Sequence, residues 1–264
     1  MKVAWLTDIH LNFISRERFK SLLRKIELSE ADALVITGDI AEAEDFAAYL
    51  LHLQEKTGLP IYFVLGNHDY YRGTIESVRE RASSLAESSD RLFWLDRESF
   101  IALTGSTSIV GHGSWADGRS GDYENSNVEI ADFELIADFY GLDRAERLRL
   151  MQKLAEEASD HLRRVLPLAL DASDEVILAT HVPPFKESTW YRGEISDDMF
   201  RPYFCSSVVG DTIAEVMGRY PSKRLMVLCG HTHGSGESRI ADNILVVTGG
   251  ARYGMPTVQR TFDF

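Results

Sequence analysis

The stretch Gly66-Asn67-His68-Asp69 is where this sequence most clearly offers chemistry. It follows the apolar run Ile61 to Val64, so its polar side chains stand where a buried strand passes into a loop. Three consecutive residues present an amide oxygen, an imidazole and a carboxylate, and α/β proteins place their chemistry on loops after strands. Taken alone, the tetrapeptide is equally compatible with a plain turn, since Asn, Asp and Gly all favour turns.

Five apolar strands end in such residues, and six of the eight histidines directly follow a strand. In Asp-x-His and His-x-His, alternate side chains of an extended segment point the same way, so each pair can bind one ion. Imidazole and carboxylate suit Zn, Fe, Mn or Ni, and the ligands are too many for one metal ion and about right for two. The strand ends carry Asp8 and His10; Asp39; Asn67, His68 and Asp69; His181; and His231 and His233.

The elements that position these residues alternate between strand and helix. Apolar runs at 3–6, 33–36 and 61–64 predict strands, and helical periodicity follows each run, with Gly58 as a helix stop and Thr74 as a helix cap. This alternation predicts a parallel sheet whose strand ends share one edge. Later apolar runs predict strands at 175–179, 225–228 and 244–247. A helix is predicted at about 208–218, and the alternating pattern from 256 predicts an edge strand.

Residues from about 128 to 170 have helical periodicity, with a capping box at Asp143 and Glu146. We expect this segment to be a helical excursion from the sheet within a single domain spanning residues 1–264. No linker rich in Pro, Ser or Gly divides the chain.

The formal net charge of −13 argues against stable binding to nucleic acids or anionic membranes, which requires basic patches. Two cysteines, Cys205 and Cys229, make no disulfide framework and fit a reducing compartment. The sequence shows no signal peptide and no stretch long enough to span a membrane. We therefore expect a cytoplasmic protein; the sequence does not indicate its oligomeric state.

In their order along the chain, the motifs resemble those of the calcineurin-like metallophosphoesterases. That series is Asp-x-His, Gly-Asp, Gly-Asn-His-Asp or Glu, a lone His, and Gly-His-x-His. Every member is present here, from Asp8 to His233. The resemblance implies an α/β fold in four layers, a two-sheet β-sandwich flanked by helices. It also implies a cofactor of two metal ions, drawn from Mn, Fe or Zn.

The resemblance also implies a role for each residue. Asp39 would bridge the two metal ions. His68 would face the leaving group rather than bind a metal, and Asp69 would orient His68. The remaining ligands would divide into two sets: Asp8, His10 and His233 for one metal, and Asn67, His181 and His231 for the other.

The implied reaction is hydrolysis of a phosphate ester by in-line attack of a metal-bridging hydroxide, with His68 as general acid. Two divalent ions contribute about +4, and two aspartates offset about two units, which leaves a site attractive to a phosphoryl group.

Departures from related subfamilies narrow the substrate to a small phosphate ester, with nucleotides among the candidates. Protein phosphatases have an arginine soon after their Gly-Asp motif, whereas Gly38-Asp39 of this chain is not followed by one. Lipid-A precursor hydrolases typically have Arg at the position of His68. The chain looks most like class III cyclic-nucleotide phosphodiesterases, although Val182 replaces a histidine of their His-His-Pro-Pro motif. We expect diesters to be preferred.

Weaker signals lie on the Gly-rich loop at 111–119. Trp115 could stack on a base and Arg119 could bind a phosphate, although a packed Trp and a solvated Arg explain them as well. His112 is also a candidate for substrate binding. We favour a structural role for it, or a role in supporting the metal ligands. His52 and His161, on helices, are expected at the surface.

Other readings of the sequence stay open. A phosphomonoesterase or nucleotide phosphatase would use the same residues. A non-catalytic metal-binding scaffold would usually have lost the equivalent of His68 or several ligands, and none is lost here. The single-loop His-x-His-x-Asp-His motif of metallo-β-lactamases and the Gly-x-Gly-x-x-Gly of dinucleotide-binding domains are absent.

Overall fold

The computed structural model describes all 264 residues and contains thirteen strands and seven α-helices. The strands are β1 Lys2–Leu6, β2 Ala33–Thr37, β3 Ile61–Val64, β4 Leu92–Trp94, β5 Ile101–Ala102, β6 Thr107–Gly111, β7 Glu175–Ala179, β8 Trp190–Tyr191, β9 Glu194–Ile195, β10 Arg224–Cys229, β11 Gly236–Ala241, β12 Ile244–Thr248 and β13 Arg260–Asp263. The helices are α1 Arg16–Ser29, α2 Phe46–Thr57, α3 Ile75–Glu87, α4 Asp132–Leu135, α5 Arg144–Ala172, α6 Arg201–Phe204 and α7 Ser207–Gly218.

The strands form two main sheets. The first has the order β13-β1-β2-β3-β4, in which β1 to β4 are parallel and β13 runs antiparallel to β1. The second has the order β11-β12-β10-β7-β6-β5, with four parallel strands in the middle and an antiparallel strand at each edge. The predicted C-terminal edge strand is confirmed as β13; the hairpin β8-β9 and the edge strand β11 were not predicted.

Alternate side chains of each strand point to opposite faces of its sheet, and this explains how the sheets and helices form layers. On β1, Val3 and Trp5 pack between the two sheets, whereas Ala4 and Leu6 pack with helices α1 to α3. The outer face of the second sheet is covered by α5 and α7. Because parallel strands buried on both faces need apolar residues throughout, their sequences read as continuous apolar runs. The four-layer sandwich is therefore the fold of this chain.

Local signals fix several helix ends as predicted. Thr74 forms a capping box with Ser77 at the start of α3, and Asp143 forms one with Glu146 at the start of α5. Gly58 ends α2 with a positive φ of 67°, a conformation that glycine adopts without strain.

The predicted helical segment at 128–170 requires correction. Only α4 and α5 are helical there, because the chain turns irregularly between them through Gly141. Helix α5 connects β6 to its parallel neighbour β7, and Leu162 and Leu166 lie in the core against the second sheet. The segment is thus a crossover helix that completes a layer rather than an excursion. A single domain over residues 1–264 stays a prediction.

Candidate metal centre

The carboxyl ends of five parallel strands meet at one edge of the sandwich. Strands β1, β2 and β3 come from the first sheet, and β7 and β10 from the second. The ligating atoms of four acidic and histidine side chains lie within 4.8 Å of one another. These are Asp8, His10, Asp39 and His233.

The first group of donors surrounds His233. Its Nε2 lies 3.3 Å from Nε2 of His10 and 3.5 Å from Oδ1 of Asp8. Nε2 of His10 is in turn 3.7 Å from Oδ2 of Asp39. Two imidazole nitrogens and two carboxylates therefore face one another across the distances that a shared cation would span.

The second group surrounds Asn67. Its Oδ1 lies 3.0 Å from Nε2 of His181 and 2.9 Å from Nδ1 of His231. Nε2 of His181 is 3.4 Å from Oδ1 of Asp39. The two oxygens of Asp39 thus point to different groups, Oδ1 to the second and Oδ2 to the first, which is the arrangement a bridging carboxylate needs.

Hydrogen bonds on the far side of two imidazoles fix which nitrogen faces the centre. Nδ1 of His181 donates to the carbonyl of Thr37 at 2.8 Å, and Nε2 of His231 donates to the carbonyl of Tyr203 at 2.8 Å. Each remaining nitrogen then carries a lone pair toward the centre. A backbone carbonyl behind a metal-binding histidine is the usual way in which its tautomer is set.

Backbone strain is concentrated at the same strand ends. Of nine non-glycine residues with positive φ, five are candidate ligands: Asp8, His10, Asp39, His231 and His233. Such conformations cost on the order of 1–3 kcal/mol each and cluster where function requires them. Close packing adds a glycine requirement, because a Cβ on Gly230 would lie 2.0 Å from Oδ2 of Asp8.

The two acidic candidate ligands, Asp8 and Asp39, have lowered pKa values although both are buried. Burial alone would raise the pKa of Asp39, but the imidazoles led by His181 outweigh burial and lower the pKa. The same competition, with a hydrogen bond to His233 as the main opposing contact, lowers the pKa of Asp8. Ionised buried carboxylates are stable only when paired or bound to metal. Oxygen and nitrogen donors in this number fit two metal ions of the Mn, Fe or Zn type.

His68 lies beside this centre rather than within either group. Its backbone N–H donates to Oδ1 of Asp39 at 2.9 Å, and its ring packs between those of Tyr71 and His10, with centroids at 4.2 and 4.6 Å. Its Nε2 lies 3.4 Å from the hydroxyl of Tyr253, on a cleft of about 300 Å³. This position fits a group that meets substrate.

The expected role of Asp69 requires correction. Its carboxylate makes no hydrogen bond to His68; it accepts hydrogen bonds from the backbone N–H groups of Ile40, Ala41 and Gly66 at 2.8–3.0 Å. The side chain is fully buried, and burial with the nearby charge of Asp39 raises its pKa to about 7. Asp69 therefore ties together the loops after β2 and β3, while Nδ1 of His68 is buried without a hydrogen-bond partner.

The three candidates for substrate binding all lie away from the cleft. Trp115 is buried in the core, where its ring stacks on Phe139. Arg119 forms an ion pair with Glu156 of α5. Neither side chain lines the cleft beside His68, because the core holds Trp115 and α5 holds Arg119, so neither is expected to bind substrate.

His112 belongs to a separate buried cluster. Its Nδ1 accepts the N–H of Ser114 at 3.0 Å and lies 3.4 Å from Asp96, and burial lowers its pKa to about 3. His161, expected at the surface, is also buried here, with its ring centroid 5.5 Å from that of His112. The apolar face of α5 turns it inward. His52 is exposed, as predicted.

Several residues of the site lie outside the sequence motifs. The cleft is lined by tyrosines, a phenylalanine and a buried carboxylate: Tyr71, Tyr191, Tyr203, Phe204, Tyr253 and Asp132. The pattern of strand ends does not indicate Asp132, because this residue lies on a four-residue helix that does not directly follow a strand.

The family model described as calcineurin-like phosphoesterase matches residues 1–235. The chain belongs to this family. The order of its motifs therefore reflects a shared architecture, and the family supports phosphoester hydrolysis as the class of activity.

Individual relatives match a smaller part of the chain than the family model does. An uncharacterized metallophosphoesterase of Campylobacter jejuni is 35% identical over 80 residues, which cover 29% of this chain and 21% of the relative. A UDP-2,3-diacylglucosamine hydrolase of Stenotrophomonas maltophilia is 29% identical over 171 residues, 60% of this chain and 64% of the relative. The chain thus spans about a fifth of the length of the first relative and under two thirds of the second.

A solved structure supports the fold. Phosphopantetheinyl hydrolase from Mycobacterium tuberculosis superimposes with a TM-score of 0.70 at 12% identity, covering 97% of this chain and 94% of the other. At that identity the likeness concerns the fold. None of the helices in the present structure has the length and apolar character required to cross a membrane.

Proposed function

We propose that this chain hydrolyses small phosphate esters, with diesters preferred, at a centre of two metal ions bridged by Asp39. The observation that carries the proposal is the pair of donor groups on opposite oxygens of Asp39, with His68 beside them on the cleft. A scaffold without catalysis would not need a partly exposed imidazole at that position.

In this proposal, Asp8, His10 and His233 hold one ion, and Asn67, His181 and His231 hold the other. The bound ions, drawn from Mn, Fe or Zn, would supply positive charge for the phosphoryl oxygens and lower the pKa of water. His68 would give a proton to the departing oxygen from Nε2, the ring nitrogen that lies on the cleft. Its ring is held in place by Tyr71 and His10.

The walls of the cleft support a substrate with a planar or apolar group. Tyr71, Tyr191, Phe204 and Tyr253 surround the opening, and aromatic rings favour stacking on such groups. A nucleotide has this chemistry. The name of the relative from Stenotrophomonas maltophilia points to a nucleotide-linked sugar, which is a second probe of the same cleft.

The preference for diesters rests on the likeness of the sequence motifs to those of small phosphodiesterases. Asp132, a carboxylate that is 3% exposed, lines the cleft. Its charge would reduce the attraction of the metal centre for a dianionic monoester more than for a monoanionic diester, because Coulomb energy scales with the ligand's charge.

Both cysteines are free and buried, in keeping with the cytoplasmic location that we infer from the sequence.

The test is a substrate panel on protein stripped of metal and reloaded separately with Mn, Fe and Zn. The panel contains bis(p-nitrophenyl) phosphate, p-nitrophenyl phosphate, cyclic nucleotides and a UDP-linked diacylated sugar. We expect activity only after reloading and a higher kcat/KM for the p-nitrophenyl diester than for the monoester. Hydrolysis of the monoester alone would overturn the diester preference, and no hydrolysis with any loaded metal would overturn the enzymatic proposal.

A further inference from the structure

The oxygen and the nitrogen of the Asn67 carboxamide face two different sets of side chains. Its Oδ1 lies 3.0 and 2.9 Å from nitrogens of His181 and His231. Its Nδ2 donates to Oδ1 of Asp132 at 2.8 Å. Because an amide accepts only through oxygen and donates only through nitrogen, the partner of Nδ2 decides which atom faces the two histidines.

Asp132 is itself held in a closed network. The hydroxyl of Tyr71 donates to the same Oδ1 at 2.8 Å and lies 3.4 Å from Nδ2 of Asn67. All three side chains are buried, with 3% of Asp132 and 4% of Tyr71 exposed. Two donors therefore converge on one carboxylate oxygen, which fixes its position and, through it, the plane of the Asn67 amide.

The location of Asp132 sets it apart from the strand-end motifs. It lies on α4, in the connection between β6 and α5, and is 65 residues from Asn67. Its hydrogen bonds reach the second donor group through Asn67, and none reaches Asp8, His10 or His233. Loss of Asp132 should therefore affect the two groups unequally.

We propose that Asp132 is a positioning residue for one of the two metal sites, the one formed by Asn67, His181 and His231. This inference rests on the proposed metal centre. Without the carboxylate, the amide can turn about its terminal bond and present Nδ2, which has no lone pair for a metal. Partners that orient a metal ligand typically contribute about 10–100-fold to metal affinity.

The test measures Mn binding to metal-free protein by calorimetry and by competition with a chromophoric chelator, resolving two affinities. For Asp132→Ala we expect one of the two affinities to weaken about 10–100-fold and the other to stay at the wild-type value. Asp132→Asn can still accept from Nδ2 through its own oxygen, so we expect it to restore most of the loss. Tyr71→Phe removes one donor to Asp132 and should cause a smaller loss at the same site.

Thermal unfolding of the metal-free variants separates positioning from folding. Should Asp132→Ala fail to fold, Asp132→Leu fills the volume without an acceptor and should show the same one-site loss. Equal weakening of both affinities, no weakening, or an Asp132→Asn variant as defective as Asp132→Ala would overturn the inference. If the wild-type protein does not bind two Mn ions, the proposed metal centre fails and the inference with it; if it does, the variants test Asp132 alone.

Discussion

Nε2 of His10 and Nε2 of His233 lie 3.3 Å apart, although 223 residues separate them in the sequence. One histidine follows β1 of the first sheet and the other follows β10 of the second. Two imidazole lone pairs repel at this distance unless a proton or a cation lies between them. A bound metal would therefore join the two sheets as well as serve the chemistry.

This relationship predicts that metal stabilises the folded chain. A ligand that binds only the folded state at 100 times its Kd adds about 2.7 kcal/mol to the free energy of unfolding. We expect Mn to raise the Tm of metal-free protein, and His233→Ala to lose much of that rise. His52→Ala, at an exposed histidine outside the centre, is the matched control and should keep it. An equal rise in both variants would contradict the role of His233.

Asp39→Ala should abolish activity and metal occupancy together. Removing the bridge leaves two cations facing each other without the carboxylate that offsets their repulsion. The measurement is metal content per chain after gel filtration, alongside the rate of diester hydrolysis. Asp160→Ala, at an exposed aspartate on α5, serves as the control and should keep both. An Asp39→Ala variant with the wild-type metal content would show that Asp39 is not the bridge.

His68→Ala should keep both metals and lose rate in a way that depends on the leaving group. A general acid contributes about 10²–10⁴-fold for leaving groups that need a proton, and much less for p-nitrophenolate, which leaves without one. The measurement is kcat across diesters of graded leaving-group pKa, for the variant and the wild type. A uniform loss across the series, or a loss of metal, would remove His68 from the general-acid role.

Asp69→Asn should reduce stability rather than leaving-group chemistry. The substitution places an N–H group against one of the backbone N–H donors of Ile40, Ala41 or Gly66, which leaves a buried donor unsatisfied. Such a group costs about 1–3 kcal/mol. Chemical denaturation of metal-free protein measures this loss. A stable variant whose rate falls only for poor leaving groups would favour the orienting role first expected for Asp69.

The sequence pattern predicted the central strands and the polar residues that follow them, whereas the two-sheet sandwich was expected only from the resemblance to a family. Continuous apolar runs located the central parallel strands because buried strands tolerate little else, and spacing such as Asp8-x-His10 then identified the paired donors. The short strands β8 and β9 were missed, because two residues carry no periodicity.

Long-range contacts explain the remaining errors. Asp69 has the residue type of an orienting group, but its oxygens are occupied by backbone donors that the sequence does not bring together. Trp115 lies on a Gly-rich loop, which suggested exposure, yet the loop folds against α5 and the indole enters the core. Asp132 follows no strand at all, and only the tertiary structure places it beside Asn67.

Anomalous diffraction from crystals of Mn-loaded protein tests the central claim most directly. We predict two peaks per chain, one among Asp8, His10 and His233 and one among Asn67, His181 and His231, with a different oxygen of Asp39 coordinated to each. A single peak, or two peaks of which one does not contact Asp39, would contradict the bridged two-metal centre.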